Sequence, residues 1–347
     1  MNARTWLPAL TLSALLAACG GSGPHRRATH AVARPETVAA RSVAPAARPT
    51  AAPPPRALVT AETENRLLVV DLPTGHIVRR IALPADPEDL ATARDGGEVV
   101  VVSAAAGKVT LLNGDTLRPL KTLGGFDQPH IAAIAPDGQH AYVTDDARGT
   151  VTAIDLANLR VTSTIHVGAG AHHLCFDLKD QMAWVALGES ARDMVLLSTQ
   201  DVDHPRVIGH FPPSSPVHDL ACSPDSPRVW LTSASGSDVT VVDGFDQGVV
   251  FRVPVGPAPQ HVVLQGPYAY LTSGYGGVIE QVDAATGRIL ARAKSPFGSF
   301  ELAAGDGYVV TSSLLRGTLA IYTPGLKLLR VVHLAPATRE VALSPPA

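Results

Sequence analysis

Apolar and polar residues alternate along this chain in bursts of four to six, separated by turns rich in Gly, Asp and Ser. A period of two sends successive side chains to opposite faces of a strand, and bursts this short have the length of strands rather than helices. The clearest read "LVTA" at 58, "VVVS" at 100, "YVTD" at 142, "WVAL" at 184, "WLTS" at 230, "YLTS" at 270 and "VVTS" at 309. After each comes a small turn and a second β-branched burst, such as "LLVVDL" at 67, "VTAIDL" at 151 or "VTVVDG" at 239. β-Branched residues suit a pleated, half-buried surface. A third burst ends each copy and another leads it. The pattern predicts seven copies of a four-stranded antiparallel meander, recurring every 39 to 46 residues.

One meander cannot cover both its own faces. Arranged radially about an axis, each sheet covers its neighbours. The first copy, starting at Ala57, lacks a leading strand, whereas "TREVALSPPA" at the far end is a leading strand with nothing after it. The expected fold is therefore all-β: a seven-bladed β-propeller over residues 57–347, closed by the C-terminal strand completing the first blade. The stretch "PDGQHAYVTDDARGTVTAID" at 136–155 resembles the YVTN family of β-propeller repeats, with Asp145 where the family carries Asn. The resemblance runs over essentially all of 57–347. It implies the same fold and leaves function open, because that family includes surface proteins, binding modules and relatives of lactonases.

Composition agrees with a strand-and-turn chain: 30 Gly, 29 Pro and only 5% aromatic residues. Three cysteines, Cys19, Cys175 and Cys222, exclude a disulfide-rich scaffold. Cys175 and Cys222 fall in the leading strands of adjacent copies, so they form either a bridge across the seam or two buried thiols. The front end reads as an address. An apolar stretch from Trp6 to Ala18 is too short to span a bilayer and ends in Leu16-Ala17-Ala18-Cys19. This resembles the lipobox of bacterial lipoproteins, which implies a signal peptide over 1–19 and lipidation at Cys19. Residues 20–56, rich in Ala, Pro and Arg, have no apolar period and are expected to be a linker. That places the propeller in the cell envelope, extracytoplasmic and held to a membrane by its lipid, as a monomer.

Charge narrows the partners further. The net charge of −3 hides an asymmetry, because residues 20–56 hold six arginines against Glu36. The propeller segment is therefore acidic, which disfavours nucleic acid as a partner. A small ligand or an envelope protein remains.

Alignment of the leading strands brings out the candidate chemistry. A first column reads Glu88, His130, His172, His218, His261, Phe300 and Arg339; a second reads Asp89, Ile131, His173, Asp219, Val262, Glu301 and Glu340. In a propeller the leading strand is innermost, so both columns belong at one mouth of the axial channel. Three readings stay open. The histidines cap loop carbonyls and have a structural role. Or His130, His172, His173, His218 and His261 hold a transition metal, copper or zinc, since neutral imidazole is a common ligand for both. Glu88, Asp89, Asp219, Glu301 and Glu340 would then bind a ligand or orient the rings. Or the site is catalytic, with His218 or His261 as acid or base and Arg339 as a carboxylate clamp. The stretch "GPAPQH" ending at His261 is similar to the Gly-Pro-Arg-His run of lactonase-type propellers, with Gln260 in place of Arg. Three turns stand apart from these columns. "SGYGGVIE" at 273 carries Tyr275 and "SSLLRG" at 312 carries Leu314 and Leu315, a candidate contact patch, while "DDARG" at 145 reads as a solvated turn.

Overall fold

A computed structural model describes residues 54–344, except 94–95, 178–180, 234 and 257. The expected signal peptide, its lipobox Cys19 and nearly all of the linker lie outside the described residues. Those described form 28 strands in seven four-stranded antiparallel sheets, a seven-bladed β-propeller. Among them, no helix is long and apolar enough to cross a membrane.

Strands are numbered in chain order. Blade 1 is sewn from both ends of the domain. The last strand, β28 (Val341–Leu343), pairs antiparallel with β1 (Arg56–Ala61), setting Val59 opposite Val341. The other six sheets are consecutive meanders. Their innermost strands are β4 (Pro87–Thr92), β8 (Pro129–Ile134), β12 (Leu174–Asp177), β16 (Leu220–Cys222), β20 (His261–Gln265) and β24 (Ser299–Gly305). Each inner strand touches the next, and β28 touches β4, so the ring is closed.

The second strand of each blade is the most deeply buried because both its faces meet neighbouring blades. Val99, Val100, Val101 and Val102 are all wholly inaccessible. Between blades 2 and 3, Val100, Val102 and Leu111 pack on Ala141, Val143 and Ile154. Trp184 and Trp230 fill the corresponding seams further round. Outermost strands alternate between exposed and half-buried positions, as in "ILARAK" at 289–294.

Cys175 and Cys222 form a disulfide that joins the inner strands of blades 4 and 5, with Cα atoms 5.6 Å apart. This settles the alternative that the sequence left open. The bridge helps line a cavity of about 450 Å³ shared with Ala91, Ala133, Ala221 and Val263. That cavity lies farther along the inner strands and contains none of the five candidate histidines.

Candidate functional site

The inner strands begin with a repeated irregularity that builds the mouth. One residue of the second strand faces two consecutive residues of the leading segment, the signature of a β-bulge. In blade 1, Arg339 N–H donates to Thr60 O while Thr60 N–H donates to Glu340 O. His172 and His173 bracket Ala186 in the same way, and His218 and Asp219 bracket Thr232. Register shifts between Pro87 and Asp89, Pro129 and Ala132, and Ser299 and Leu302 place the bulge in blades 2, 3 and 7. An unbroken strand would send one side chain of each pair away from its neighbour; the bulge re-aims the two together.

Blade 6 corrects the sequence alignment by one residue. Gln260 N–H donates to Thr272 O and His261 pairs with Thr272, so Gln260 occupies the first position. His261 shares the second position with His173, Asp219 and Glu340. Aligning by residue type had matched imidazole to imidazole across a loop of different length.

Second-strand hydroxyls lock this arrangement from blade to blade. Thr144 Oγ1 accepts from Ile131 N–H at 3.0 Å and donates to His172 O at 2.7 Å. Thr232 Oγ1 accepts from Asp219 N–H at 3.0 Å and donates to Gln260 O at 2.6 Å. Gly170, in the loop leading to His172, has φ +76°, and a Cβ there would sit 2.8 Å from Leu187 O. Only glycine takes that conformation at no steric cost.

All five histidines meet. His130 stacks on His172 with ring centroids 4.0 Å apart, and His173 lies 4.8 to 5.5 Å from His172, His130, His218 and His261. His218 and His261 close the arc at 5.0 Å. Candidate ligand atoms of His130, His172 and His173 lie within 4.8 Å of one another, as do those of His173, His218 and His261. His173 is common to both triads.

Carboxylates hold these rings at Nδ1. Glu88 lies 3.2 Å from His130, Asp146 3.0 Å from His172, and Asp219 3.0 Å from His173. A carboxylate at Nδ1 fixes the ring and leaves Nε2 to the centre, the usual arrangement of a ligating histidine. His261 is different, with Asp219 3.5 Å from Nδ1 and Glu301 3.0 Å from Nε2. Burial opposes its charge, but Glu301 and Asp219 outweigh that and push its pKa up to about 10. His218 Nδ1 lies 3.2 Å from Glu189 Oε1 without hydrogen-bond geometry, and it is a buried nitrogen with no hydrogen-bond partner. Burial, helped by the nearby His261, drives the His218 pKa down to about 3. Burial likewise drives His173 well below the ordinary imidazole range. Burial would raise Asp219, but His173 and His261 hold it well below the usual carboxylate range. Asp219 also accepts from Val262 N–H at 3.0 Å, tying blade 5 to blade 6.

Across the mouth stands an acidic arc. Asp89 is pushed up to about 7 by burial and by Glu301, although it accepts from Ala132 N–H at 2.6 Å. Glu340 is pushed well above its usual range by burial, then by Glu301 and Asp89. Arg339 lies against Glu88 and 3.6 Å from Glu62, so its charge is already answered by protein carboxylates. Gln260 Oε1 is equally committed, accepting from Gly274 N–H at 2.8 Å. Two protein carboxylates therefore already face Arg339, the residue that the catalytic reading assigns as carboxylate clamp.

The mouth thus gathers every site candidate of the two columns. Three partners escaped the sequence reading: Asp146, Glu189 and Glu62. Each sits one to three residues past a second strand, in the loop above the mouth. The turn at 145–149, read as solvated, therefore supplies a ring partner, and Asp145 within it is buried. A carboxylate four or five residues after the start of the second-strand marker is the signal that could have found them.

The fold and this mouth define the class: a seven-bladed β-propeller with an imidazole-lined axial opening. A model of the Cytochrome D1 heme domain family matches residues 94–209, from blade 2 into the last strand of blade 4. The chain is 29% identical over 159 residues to a dihydro-heme d1 dehydrogenase of Pseudomonas aeruginosa; the match spans 45% of this chain and 30% of that protein. Among solved structures, a functionally unknown protein from Desulfotomaculum acetoxidans has TM-score 0.74 at 15% identity, covering 84% of this chain and 99% of its own. The Kuenenia stuttgartiensis hydrazine synthase has TM-score 0.68 at 15% identity, covering 82% of this chain and all of the matched one. The dihydro-heme d1 dehydrogenase NirN in complex with DHE has TM-score 0.59 at 15% identity, covering 81% and 64%. These likenesses support a β-propeller family. The ligand in the matched names is a heme; copper and zinc gain no support from them.

Proposed function

We propose that this propeller binds an iron tetrapyrrole of the heme d1 class at its axial mouth, with an imidazole as ligand to the iron. The observation that carries the reading is the position of the family match: residues 94–209 include His130, His172 and His173, the first imidazole triad. The donor set fits. Neutral imidazole suits iron, and carboxylates at Nδ1 raise its basicity. The buried His218 Nδ1, which faces Glu189 but makes no hydrogen bond, is a polar group that a ligand can satisfy. When bound, such a group supplies a redox-active iron that takes up small molecules. The chain's own part is to hold the rings, keep His173 and His218 uncharged, and limit access by water. With Arg339 engaged by Glu62 and Glu88, carboxylates on the ligand belong on the solvent side.

Titration of the purified protein with heme d1, followed by absorption, tests this. The expected result is saturable one-to-one binding with an imidazole-ligated spectrum, weakened on the order of a hundredfold in the His172→Ala/His173→Ala double variant. No saturable uptake overturns it.

The two overlapping triads favour a second reading, in which a bare copper or zinc ion occupies the same imidazoles. Elemental analysis of untagged protein, before and after exposure to each metal, decides it; stoichiometric metal supports it and its absence removes it. The lipobox-like Leu16-Ala17-Ala18-Cys19 supports anchoring of the propeller outside the cytoplasm. Incorporation of a labelled fatty acid, abolished in Cys19→Ser, is the expected outcome; label retained in that variant refutes the assignment.

A further inference from the structure

Exposed aromatic side chains are scarce here, and two of them stand together at the mouth. Among the described residues, the aromatic side chains with large exposure are Phe245, Tyr275 and Phe297. Tyr275 lies in the loop between β21 (Tyr268–Ser273) and β22 (Val278–Asp283). Phe297 lies just before β24. Both loops open on the end of the propeller where the leading strands begin, the end that carries the histidines. Tyr275 is 62% exposed and meets Phe297 at 6.1 Å and Phe300 at 5.0 Å, edge to face in the second case. Phe300 occupies the first column, one residue before the Glu301 that holds His261. Leu315, 49% exposed, extends the patch from blade 7.

The cluster is built rather than incidental. A Cβ on Gly274 would collide with the Phe300 ring, and one on Gly298, at φ +82°, would collide with Leu315. Backbone bonds stitch the three loops together: Gly298 N–H donates to Gly274 O at 2.9 Å, and Leu314 N–H donates to Gly298 O at 3.0 Å. Isolated exposed leucines need no explanation, but a fixed aromatic wall adjoining a polar donor cluster is how a pocket grips a flat ligand.

We infer that Tyr275, Phe297 and Phe300, with Leu315 beside them, form a stacking wall that takes the conjugated ring of the mouth's ligand while the imidazoles take its metal. The inference rests on the tetrapyrrole reading and deepens it: the site selects a planar macrocycle, and not only a metal. Phe245 lies in the turn after β18 (Asp238–Asp243), at the opposite end of the propeller, and serves as control.

The test uses the full chain, heme d1 and the iron-free heme d1 macrocycle. The parent is expected to bind both. The Tyr275→Ser/Phe297→Ser variant, altered only at exposed positions, should bind both roughly tenfold or more weakly, at about 0.5–1.5 kcal/mol per aromatic contact. The spectrum of its bound iron form should be unchanged, because the imidazoles are intact. Phe245→Ser should bind like the parent. Parent-like binding by the double variant, or a parent that takes heme d1 but not the iron-free ring, overturns the wall and leaves imidazole ligation standing. A parent that takes up neither overturns the tetrapyrrole reading itself, and the wall with it.

Discussion

Two arcs of one ring, made by the same bulge in the same inner strands, have opposite electrostatics. In blades 3 to 6 imidazoles crowd one another, and burial strips His173 and His218 of charge. In blades 1, 2 and 7 carboxylates crowd one another, and burial makes Asp89 and Glu340 retain protons. Between the arcs runs one row of contacts, Asp219 to His261 to Glu301. The backbone template sets where side chains converge, and residue identity alone sets what the convergence does. A propeller can therefore be retuned without being refolded.

The comparison is broken most severely at its hinge. Asp219 serves two imidazoles and the Val262 amide, so Asp219→Ala should cost about 3–5 kcal/mol, the penalty for leaving buried partners unanswered. Denaturant unfolding measures it, and a loss under 1 kcal/mol would show that the two arcs stand independently. Next comes the disulfide, which braces only the imidazole arc. Replacing Cys175 and Cys222 with Ala should cost about 2–4 kcal/mol, since the bridge closes a loop with a sequence separation of 47. Heme d1 affinity should fall with it if the bridge steadies His173 and His218. The smallest effect sharpens the contrast. Asp89 has a folded-state pKa of about 7, above its unfolded value of 3.8, so its contribution to stability is lost as pH rises between those values. The depressed histidines work the other way: both cost stability as pH falls below 6.5, His218 down to about 3. Asp89→Asn removes the first trend and leaves the second. The melting temperature of this variant should climb more steeply than the parent's between pH 4.5 and 6.5, and parallel curves would contradict the assignment.

Much of this was legible in the sequence. Seven second-strand markers fixed the number of blades, and "TREVALSPPA" foretold the closure, because burial on both faces forces continuous apolar strands at a constant period. The two columns led to the mouth for the same reason. What escaped depends on turn geometry and blade packing. Asp146, Glu189 and Glu62 sit in loops whose reach no periodicity encodes. His261 was placed one position out because residue type cannot count a bulge. The pairing of Cys175 with Cys222 needed the distance across a seam, which the packing of two sheets determines.

The segment leading into the strand that closes the ring carries Arg339 and Glu340, and Glu62 follows β1 of that same blade. During synthesis the imidazole blades are complete while the acidic arc still lacks Arg339 and Glu340. Docking of β28 therefore joins the circle and finishes the charge distribution at the mouth in one event. A nascent chain short of this segment has the imidazoles and their carboxylate partners but lacks Glu340 and the Arg339 that lies beside Glu88 and Glu62, so the mature mouth dates from closure.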